Sequence, residues 1–344
     1  MKNPFFKNTG PYNINDLLKL INLVNETNSD DKINDINDIS SAQSNEITFF
    51  HSKKYIDSAK VTKASYCITT ETLKSYLPDN CKPIVSEKVL LVTAQITKIF
   101  YPESITDNFD VSVENIDKSE FKEKVKFGKN VLIGKNVNIG SDCLIGHNTI
   151  IEKNVVIGSN CSIGSNVIVR NTIVKDNVNI LDGCVIGKKG FGFFPNKDKN
   201  IRYPHIGIVI INENCEIGCG STIDRGSLSN TIIGKNTYLD NQVHIAHNNR
   251  IGDNCIIAGQ VGFAGSSSLG NNVMIGGQAG VSGHLKVGNN VQIGGGSGVI
   301  RDVPDNTKVM GYPAKSLREF INCLLYTSDA ADEGLGVDLG GRRI

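Results

Sequence analysis

Histidine is the residue type in this sequence best suited to exchange protons at neutral pH, and three of its six histidines stand in two distinctive strings, of which His247 and His284 are the candidates. His247 lies in Asp240-Asn-Gln-Val-His-Ile-Ala-His-Asn248, and His284 ends Val281-Ser-Gly-His284. An unperturbed imidazole has a pKa of about 6.5, so it is largely neutral at pH 7 and can take a proton from an attacking nucleophile. Such chemistry depends on the elements that position the two rings, and a repeat in the sequence predicts those elements.

An aliphatic or aromatic anchor residue returns every six positions through the middle of the chain. Gly often follows the anchor, polar residues such as Lys-Asn or Asp-Asn come next, and a small residue stands two before the next anchor. A period of six does not fit an α-helix, but it fits short strands joined by tight turns in which Gly and Asn adopt positive φ. The anchors run in register from Phe127 to Val169, Val174 to Ile186, Ile211 to Ile223 and Ile233 to Val299.

Three hexads make a triangular coil of eighteen residues, so the repeat predicts a parallel β-helix over residues 127–305. Gly265 lies eighteen residues beyond His247, and therefore one coil away on the same corner. A Gly there leaves its backbone N–H open, as a donor to a developing oxyanion must be. His284 is expected two coils from His247, roughly 10 Å away by the strand spacing, which is too far for a direct pair.

Composition excludes several kinds of partner. The 36 basic and 35 acidic residues leave a net charge of +1, so no overall field attracts nucleic acid or an anionic membrane. No run approaches the roughly 18 apolar residues of a membrane span, and the N-terminus lacks a secretory signal, which predicts a cytoplasmic protein. The nine cysteines contain no C-x-x-C pair and predict reduced thiols, most of them at the small position of the hexad.

Residues 1–112 differ from the repeat and predict a small α/β domain, joined to the β-helix by a linker at 113–126. Strand-like runs at 46–50 and 65–69 alternate with a helix-like stretch from Glu87 to Phe100, which Tyr101-Pro102 ends. The predicted class is therefore mainly β, with a small α/β domain ahead of the β-helix.

Two aromatic residues, Phe49 and Tyr55, lie near the end of the first predicted strand, with Ser52 between them. From the residues alone, core packing is the favoured role of this pair. The remaining histidines have plainer surroundings: His51 is next to the pair, His147 follows a Gly of the repeat, and His205 lies in the loop between Ile186 and Ile211. We expect each of them to be a solvated turn or loop residue.

Four strings together resemble the UDP-3-O-(3-hydroxyacyl)glucosamine N-acyltransferases of lipid A synthesis. They are Gly190-Phe-Gly-Phe193, Ile223-Asp-Arg-Gly226, and the two strings that contain His247 and His284. The resemblance covers nearly the whole chain to about residue 320. It implies a left-handed β-helix and a homotrimer with active sites between neighbouring prisms; the hand comes from the resemblance, because ordinary crossovers are right-handed.

The resemblance also implies roles for single residues. Phe49 and Tyr55 are expected to sandwich the uracil of the substrate, and Ser52 stands where the family usually has Asn, so the sequence departs from the family at the residue for the base-edge hydrogen bond. His247 occupies the position of the general base, and Gly265 that of the oxyanion donor.

Two further positions follow from the same comparison of strings. His284 is expected to contact a substrate phosphate or the phosphopantetheine arm of an acyl carrier protein. Asp240 lies on an adjacent corner, so any role is expected to work across the trimer interface.

The implied reaction is transfer of a 3-hydroxyacyl group from acyl carrier protein to the 2-amine of a UDP-3-O-(3-hydroxyacyl)-glucosamine, with no cofactor beyond the carrier's own arm and no metal. A zinc site made by His244, His247 and His284 is disfavoured, because His244 directly precedes an inward anchor. A sugar-nucleotide O-acyltransferase, a CoA-dependent N-acetyltransferase and a non-catalytic β-helix scaffold remain open alternatives.

Two segments interrupt or leave the repeat. The insertion between Ile186 and Ile211 is rich in aromatics and glycine, and we expect it to line the groove; its basic residues either meet a diphosphate or an acidic carrier, or form a solvated face. The basic residues of the insertion are Lys188, Lys189, Lys197, Lys199 and Arg202.

Beyond the β-helix, residues 306–321 are expected to start a C-terminal helix, and residues 322–344 look like a non-native tail.

Overall fold

The computed structural model describes residues 3–23, 29–115, 121, 125–194 and 200–311, and the larger part is a left-handed parallel β-helix. Each full coil contributes one short strand to each of three sheets, here called faces I, II and III. Strands of successive regular coils pair in parallel eighteen residues apart, as Ile150 does with Ile168. The fold predicted from the six-residue period is confirmed.

The strands of the three faces follow in chain order. Face I contains Glu114–Asn115, Leu132–Ile133, Ile150–Ile151, Ile168–Val169, Val185–Lys189, Thr222–Arg225, His244–Ile245, Gly262–Phe263, Gly280–Val281 and Gly298–Val299. Face II contains Asn138–Ile139, Val156–Ile157, Thr172–Val174, Val209–Ile211, Thr231–Ile233, Arg250–Ile251, Ser268–Leu269 and Lys286–Val287. Face III contains Val125–Phe127, Cys143–Ile145, Ser162–Ile163, Asn179–Ile180, Glu216–Ile217, Tyr238–Leu239, Ile256–Ile257, Met274–Ile275, Gln292–Ile293 and Lys308–Val309.

Three positions of the hexad, occupied by the anchor, the glycine and the asparagine, have different structural roles. Anchors such as Ile245 point inward and join one continuous apolar core. The positive φ falls on the third residue after the anchor, for example 57° at Asn254. Glycine is needed directly after the anchor because there is no room for a side chain. A Cβ on Gly252 would lie 2.2 Å from the carbonyl oxygen of Gly270 in the next coil. Close stacking of coils, rather than backbone conformation, therefore requires glycine at that position.

In several coils a hydrogen bond to the next coil holds the second residue after the anchor. The N–H of Asp253 donates to Asn271 Oδ1, and that of Asn271 donates to Asn289 Oδ1, each at 2.8 Å. A side chain in one coil thus satisfies a turn N–H of the preceding coil. We call this series the turn ladder.

The N-terminal domain contains a four-stranded parallel sheet with helices packed against it. Its observed strand Glu46–Phe50 and helix Val89–Phe100 agree closely with the predicted segments. The sheet strands are Asp35–Ile36, Glu46–Phe50, Tyr66–Thr69 and Lys82–Val85; a separate antiparallel pair is Tyr12–Asn13 with Lys32–Ile33. The α-helices are Ile14–Leu20, Ile56–Lys60 and Val89–Phe100, and the 3₁₀ turns are Lys53–Tyr55, Lys74–Tyr76 and Pro102–Ile105.

The β-helix is longer at both ends than the predicted span of 127–305. Val125–Phe127 already pairs with Cys143–Ile145, and Glu114–Asn115 pairs antiparallel with Leu132–Ile133, so part of the predicted linker belongs to the prism. At the other end Lys308–Val309 is a strand where we expected a helix start. Residues 312–344, with the rest of that helix and the predicted non-native tail, lie outside the described residues. No helix in the described part of the chain is long and apolar enough to cross a membrane.

The insertion leaves face I after Val185–Lys189, forms a hairpin of Phe193–Phe194 with Ile201–Arg202, and returns at Val209–Ile211. The buried guanidinium of Arg225 ties it down: Nε donates to the His205 carbonyl at 3.0 Å, and a terminal nitrogen donates to Gly187 O at 3.2 Å and Asp107 Oδ1 at 2.9 Å. This contact explains the Arg in the 223–226 string, which holds the insertion over the corner between faces I and II.

Candidate active site

A cavity of about 540 Å³ lies where the N-terminal domain, the insertion and the corner between faces I and II meet. Aromatic residues come from the first two parts, and histidines come from all three. The lining residues used below are Phe49, His51, Tyr55, Phe193, His205, Asn248, His247 and His284. The predicted approach of the insertion to the site is therefore what the structure shows.

His247 is half-buried in this cavity, and Asn248 determines which of its ring nitrogens carries the hydrogen. Asn248 Nδ2 donates to the Ser229 carbonyl at 3.1 Å, and its Oδ1 accepts from the Ser227 N–H at 3.1 Å, so the amide orientation is fixed at both ends. Nδ1 of His247 lies 2.8 Å from that Oδ1 and must therefore be the donor. In the neutral ring the lone pair is left on Nε2, as a general base requires.

His147 provides an internal comparison, because it occupies the same hexad position as His247. Its Nδ1 accepts a hydrogen bond from the Lys129 N–H at 2.8 Å, so it serves the turn ladder. In the neutral ring the hydrogen of His147 is consequently on Nε2. The expectation that His147 is a turn residue agrees with this geometry, and the contrast shows that the hexad position alone does not make a base.

Gly265 lies directly against the His247 ring, as the eighteen-residue step predicts. A Cβ on Gly265 would be 2.5 Å from His247 Cε1 and 2.7 Å from Nε2. Its N–H corresponds to a donor of the turn ladder, but the acceptor position one coil further is Gly283, which has no side chain. Within the described residues this N–H has no hydrogen-bond acceptor. Glycines at the same position of two neighbouring coils, Gly265 and Gly283, therefore keep it open beside the lone pair of His247.

His284 joins the corner to the N-terminal domain. Its N–H donates to Gly265 O at 3.1 Å, and its own carbonyl accepts from Lys54 Nζ at 3.1 Å. Its Nδ1 lies 3.3 Å from the hydroxyl of Tyr55, whose pKa is raised by burial. Burial, followed by the neighbouring Lys54 and His247, lowers the pKa of His284, so the ring is neutral near pH 7.

The aromatic pair is accompanied by a third ring. The His51 imidazole packs 5.7 Å from the Phe49 ring at 17° between planes, and 5.7 Å from the Tyr55 ring at 42°. The expectation that His51 is a solvated turn residue is wrong, because it lines the cavity. Ser52 does not line it; its hydroxyl accepts from the Lys54 N–H at 3.4 Å and caps the turn Lys53–Tyr55.

His205 was also expected in solvent, and the structure corrects this too. The residue is 1% exposed, and its ring meets His247 edge to face at 5.0 Å between centroids. Nδ1 lies 3.0 Å from the Tyr203 carbonyl and donates to it, which leaves Nε2 as an acceptor. Burial first, then the neighbouring His247 and Arg225, lowers the pKa of His205 to about 3. Nothing in the hexad register could have revealed this neighbour, since the insertion lies outside the repeat.

Other predicted candidates lie elsewhere. Asp240 is exposed on the corner between faces III and I, where its Oδ1 accepts from the Asn241 N–H at 2.7 Å. The His244 side chain faces outward, and its Nδ1 lies 2.7 Å from the Thr222 hydroxyl. Arg202 stacks on Phe193 at 4.6 Å, while Lys197 and Lys199 lie outside the described residues. In the described part of the chain no group of three His, Cys, Asp or Glu is arranged to hold a metal, and the eight described cysteines are free thiols.

The fold and the corner site define a class first. The sequence profile of bacterial transferase hexapeptide repeats matches residues 136–171 and 230–265, within the β-helix. The profile described as UDP-3-O-(3-hydroxymyristoyl) glucosamine N-acyltransferase, LpxD, matches residues 30–99 of the N-terminal domain. The chain is thus a hexapeptide-repeat transferase, and its N-terminal domain matches the profile of the LpxD N-acyltransferases.

Relatives that match more than half of the chain narrow the class to a family. UDP-3-O-acylglucosamine N-acyltransferase 2 of Legionella pneumophila (strain Paris) is 40% identical over 247 residues, covering 71% of this chain and 72% of the relative. The enzyme of the same name from Nitrobacter winogradskyi is 45% identical over 215 residues, 60% of this chain and 63% of the relative. The chain belongs to the UDP-3-O-acylglucosamine N-acyltransferase family and is an N-acyltransferase, as the four strings predicted. Among solved structures, the UDP-N-acetylglucosamine acyltransferase from Campylobacter jejuni is 24% identical with a TM-score of 0.46, over 52% of this chain and 68% of that one.

Proposed function

We propose that this chain transfers a 3-hydroxyacyl group from acyl carrier protein to the 2-amine of a UDP-3-O-(3-hydroxyacyl)-glucosamine, as a step of lipid A synthesis. The observation that carries the proposal is one cavity lined by aromatic rings suited to a nucleotide base and by His247, whose ring lies against Gly265 with its open N–H. Family membership supplies the substrate class.

The reaction follows from these groups. The amine nitrogen attacks the thioester carbonyl carbon while His247 Nε2 takes one amine proton. The carbonyl oxygen becomes an oxyanion, to which the Gly265 N–H donates. When the intermediate collapses, the C–S bond breaks, and the imidazolium returns the proton to the leaving phosphopantetheine thiolate. The products are an amide and a free thiol, with His247 neutral again.

The remaining site residues bind rather than react. Phe49 and Tyr55 offer flat faces to the uracil, at the N-terminal end of the cavity. His284, bonded to that domain through Lys54 and Tyr55, lies between the nucleotide end and His247, where it contacts a phosphate of the substrate or the phosphopantetheine arm. No metal or further cofactor takes part.

The working assembly is a homotrimer in the cytoplasm, with acyl carrier protein as its transient partner. Face III carries a stack of exposed apolar residues, Tyr238, Ile256 and Met274, each about half exposed. In the same coils face I presents Gly262 and Gly280, where a Cβ would meet nothing within 4 Å. A protruding apolar face and a flat face on one prism are complementary, and a head-to-tail contact between them closes into a ring of three. Any role of Asp240 then belongs to this contact between subunits.

The test is product analysis with defined substrates. The chain is incubated with 3-hydroxyacyl carrier protein and UDP-3-O-acylglucosamine, and the product is identified by mass spectrometry. We expect an amide at the 2-amine. Ester formation with UDP-N-acetylglucosamine in its place, or transfer from acetyl-CoA alone, would overturn the proposed reaction.

A pair of histidine variants tests the base. His247→Ala is expected to lower kcat by about 10² to 10⁴, the usual contribution of a positioned base. His147→Ala removes the same residue type from the same hexad position on another corner, and should retain the wild-type rate. Full activity in His247→Ala would remove His247 from the mechanism.

A further inference from the structure

His51 is a polar residue whose ring contacts both members of the aromatic pair. Its ring packs against both Phe49 and Tyr55, so a base that stacks on either of these rings also meets the imidazole. His51 follows the strand Glu46–Phe50 directly, and Phe49 and His51, two residues apart in extended chain, face the same side. The ring is therefore a built-in part of the nucleotide end of the cavity.

The hydrogen-bonding state of His51 leaves one nitrogen for a ligand. Nδ1 is buried and has no partner among the described residues. Burial, followed by the nearby His284, lowers the pKa of His51, so the ring is neutral and carries one hydrogen. A hydrogen on Nδ1 would be a buried donor without an acceptor, which is costly, so the hydrogen belongs on Nε2. No described residue accepts from Nε2.

The Ser52 side chain already makes a hydrogen bond within the N-terminal domain. Its hydroxyl accepts the Lys54 N–H at the start of the turn Lys53–Tyr55, and the residue does not line the cavity. The base edge therefore requires a different polar group in this chain.

We infer that His51, and not Ser52, reads the base edge: the Nε2–H of His51 donates to a carbonyl oxygen of the uracil that rests on Phe49 and Tyr55. This inference rests on the proposed function, which supplies the uridine nucleotide. A base oxygen is the partner, rather than a phosphate, because His51 lies between two apolar rings, whereas the cationic Lys54 lies toward His284.

The test compares uridine and UDP binding by titration calorimetry in wild type and four variants. His51→Phe keeps a packing ring and removes the donor; we expect its Kd to rise about tenfold for uridine and by the same factor for UDP. Ser52→Ala should stay within twofold of wild type. His51→Ala combined with Ser52→Asn should recover affinity that His51→Ala alone loses, because the amide supplies a donor.

The outcomes separate this inference from the proposed function. Undiminished affinity in His51→Phe overturns the inference alone, as does a loss seen with UDP but absent with uridine, or an equal loss in Ser52→Ala. A wild-type chain that binds UDP but makes no amide product overturns the proposed reaction and leaves His51 as a nucleotide contact. A wild-type chain that binds neither ligand overturns both.

Discussion

At the scale of single residues, a turn side chain in this prism takes its chemistry from the atoms one coil away and from its own neighbour in sequence. His147 and His247 share a hexad position, yet one receives a ladder hydrogen bond at Nδ1 and the other donates from Nδ1 to an asparagine. Residue type and register predicted where His247 would lie. They did not predict the tautomer, because that depends on Ser227 and Ser229, which lie in an irregular turn outside the repeat.

Removing the acceptor of His247 tests this account. In Asn248→Ala the Nδ1–H loses its partner and the ring is free to turn or to change tautomer, so kcat should fall about 10²-fold with little change in KM. Asn254→Ala is the matched control, since Asn254 has the same positive φ, 57° against 63°, on another corner. Equal activity losses in the two variants would mean that backbone strain, not His247, is responsible.

The buried His205 predicts a specific dependence of stability on pH. Its pKa is about 3 in the folded chain and about 6.5 when unfolded, so the unfolded state binds more protons between these values. The free energy of unfolding should therefore fall as the pH drops below 6.5, by about 2 kcal/mol from this group at pH 5. His205→Gln lacks this term, so urea unfolding at pH 7 and pH 5 should show a smaller acid loss than wild type. Parallel curves would place the ring in solvent.

At the scale of elements, the insertion acts as a cover over the His247 corner, and glycine allows it to approach. A Cβ on Gly190 would lie 2.6 Å from His247 Cβ and 2.9 Å from His205 Nε2. The sequence indicated that this segment was too apolar to be an idle loop. Its resting place could not be predicted, because it depends on the buried Arg225, which links it to Asp107 in the segment before the β-helix.

The two glycines of this segment should differ when each is replaced by alanine. Gly190→Ala must push His247 or the whole segment aside, so we expect kcat to fall at least tenfold. At Gly192 the nearest atoms to a Cβ are 3.1 and 3.2 Å away, in His205 and Tyr203, and small adjustments suffice. Gly192→Ala should therefore keep most of its activity. The measurement is steady-state kinetics of acyl transfer, and a reversed order of the two variants would contradict this packing.

The regular coils show how far a pattern can specify structure. Anchors, coil length and the position of Gly265 against His247 all followed from counting six and eighteen. Positive φ was assigned jointly to Gly and Asn, but the structure separates two positions of the hexad: Asn254 and its equivalents, three of which are the glycines Gly183, Gly220 and Gly296, take the positive φ, while Gly252 permits coil contact. Sequence alone could not separate the two, because both residue types suit a tight turn.

At the scale of the whole molecule, the site exists because the domains meet. Leu228 and Ile206 of the β-helix loops enter the apolar core of the N-terminal domain, and Tyr55 and Lys54 bond to His284. The sequence predicted both domains and both groups of residues separately. Their contact could not be read from either pattern, since it is made by irregular turns and by side chains far apart in the chain.

Also at this scale, the face through which three copies of the chain meet in the proposed trimer can be tested. Ile256 and Met274, 51% and 48% exposed on face III, should be covered by face I of a neighbouring copy in the proposed trimer. Ile256→Lys with Met274→Lys would place two desolvated charges in that contact, so light scattering at micromolar concentration should give the monomer mass. Val156→Lys changes an apolar residue of face II, 39% exposed, and should remain trimeric. A wild-type chain that is monomeric at this concentration would contradict the trimer, and a double variant that stays trimeric would place the contact on another face.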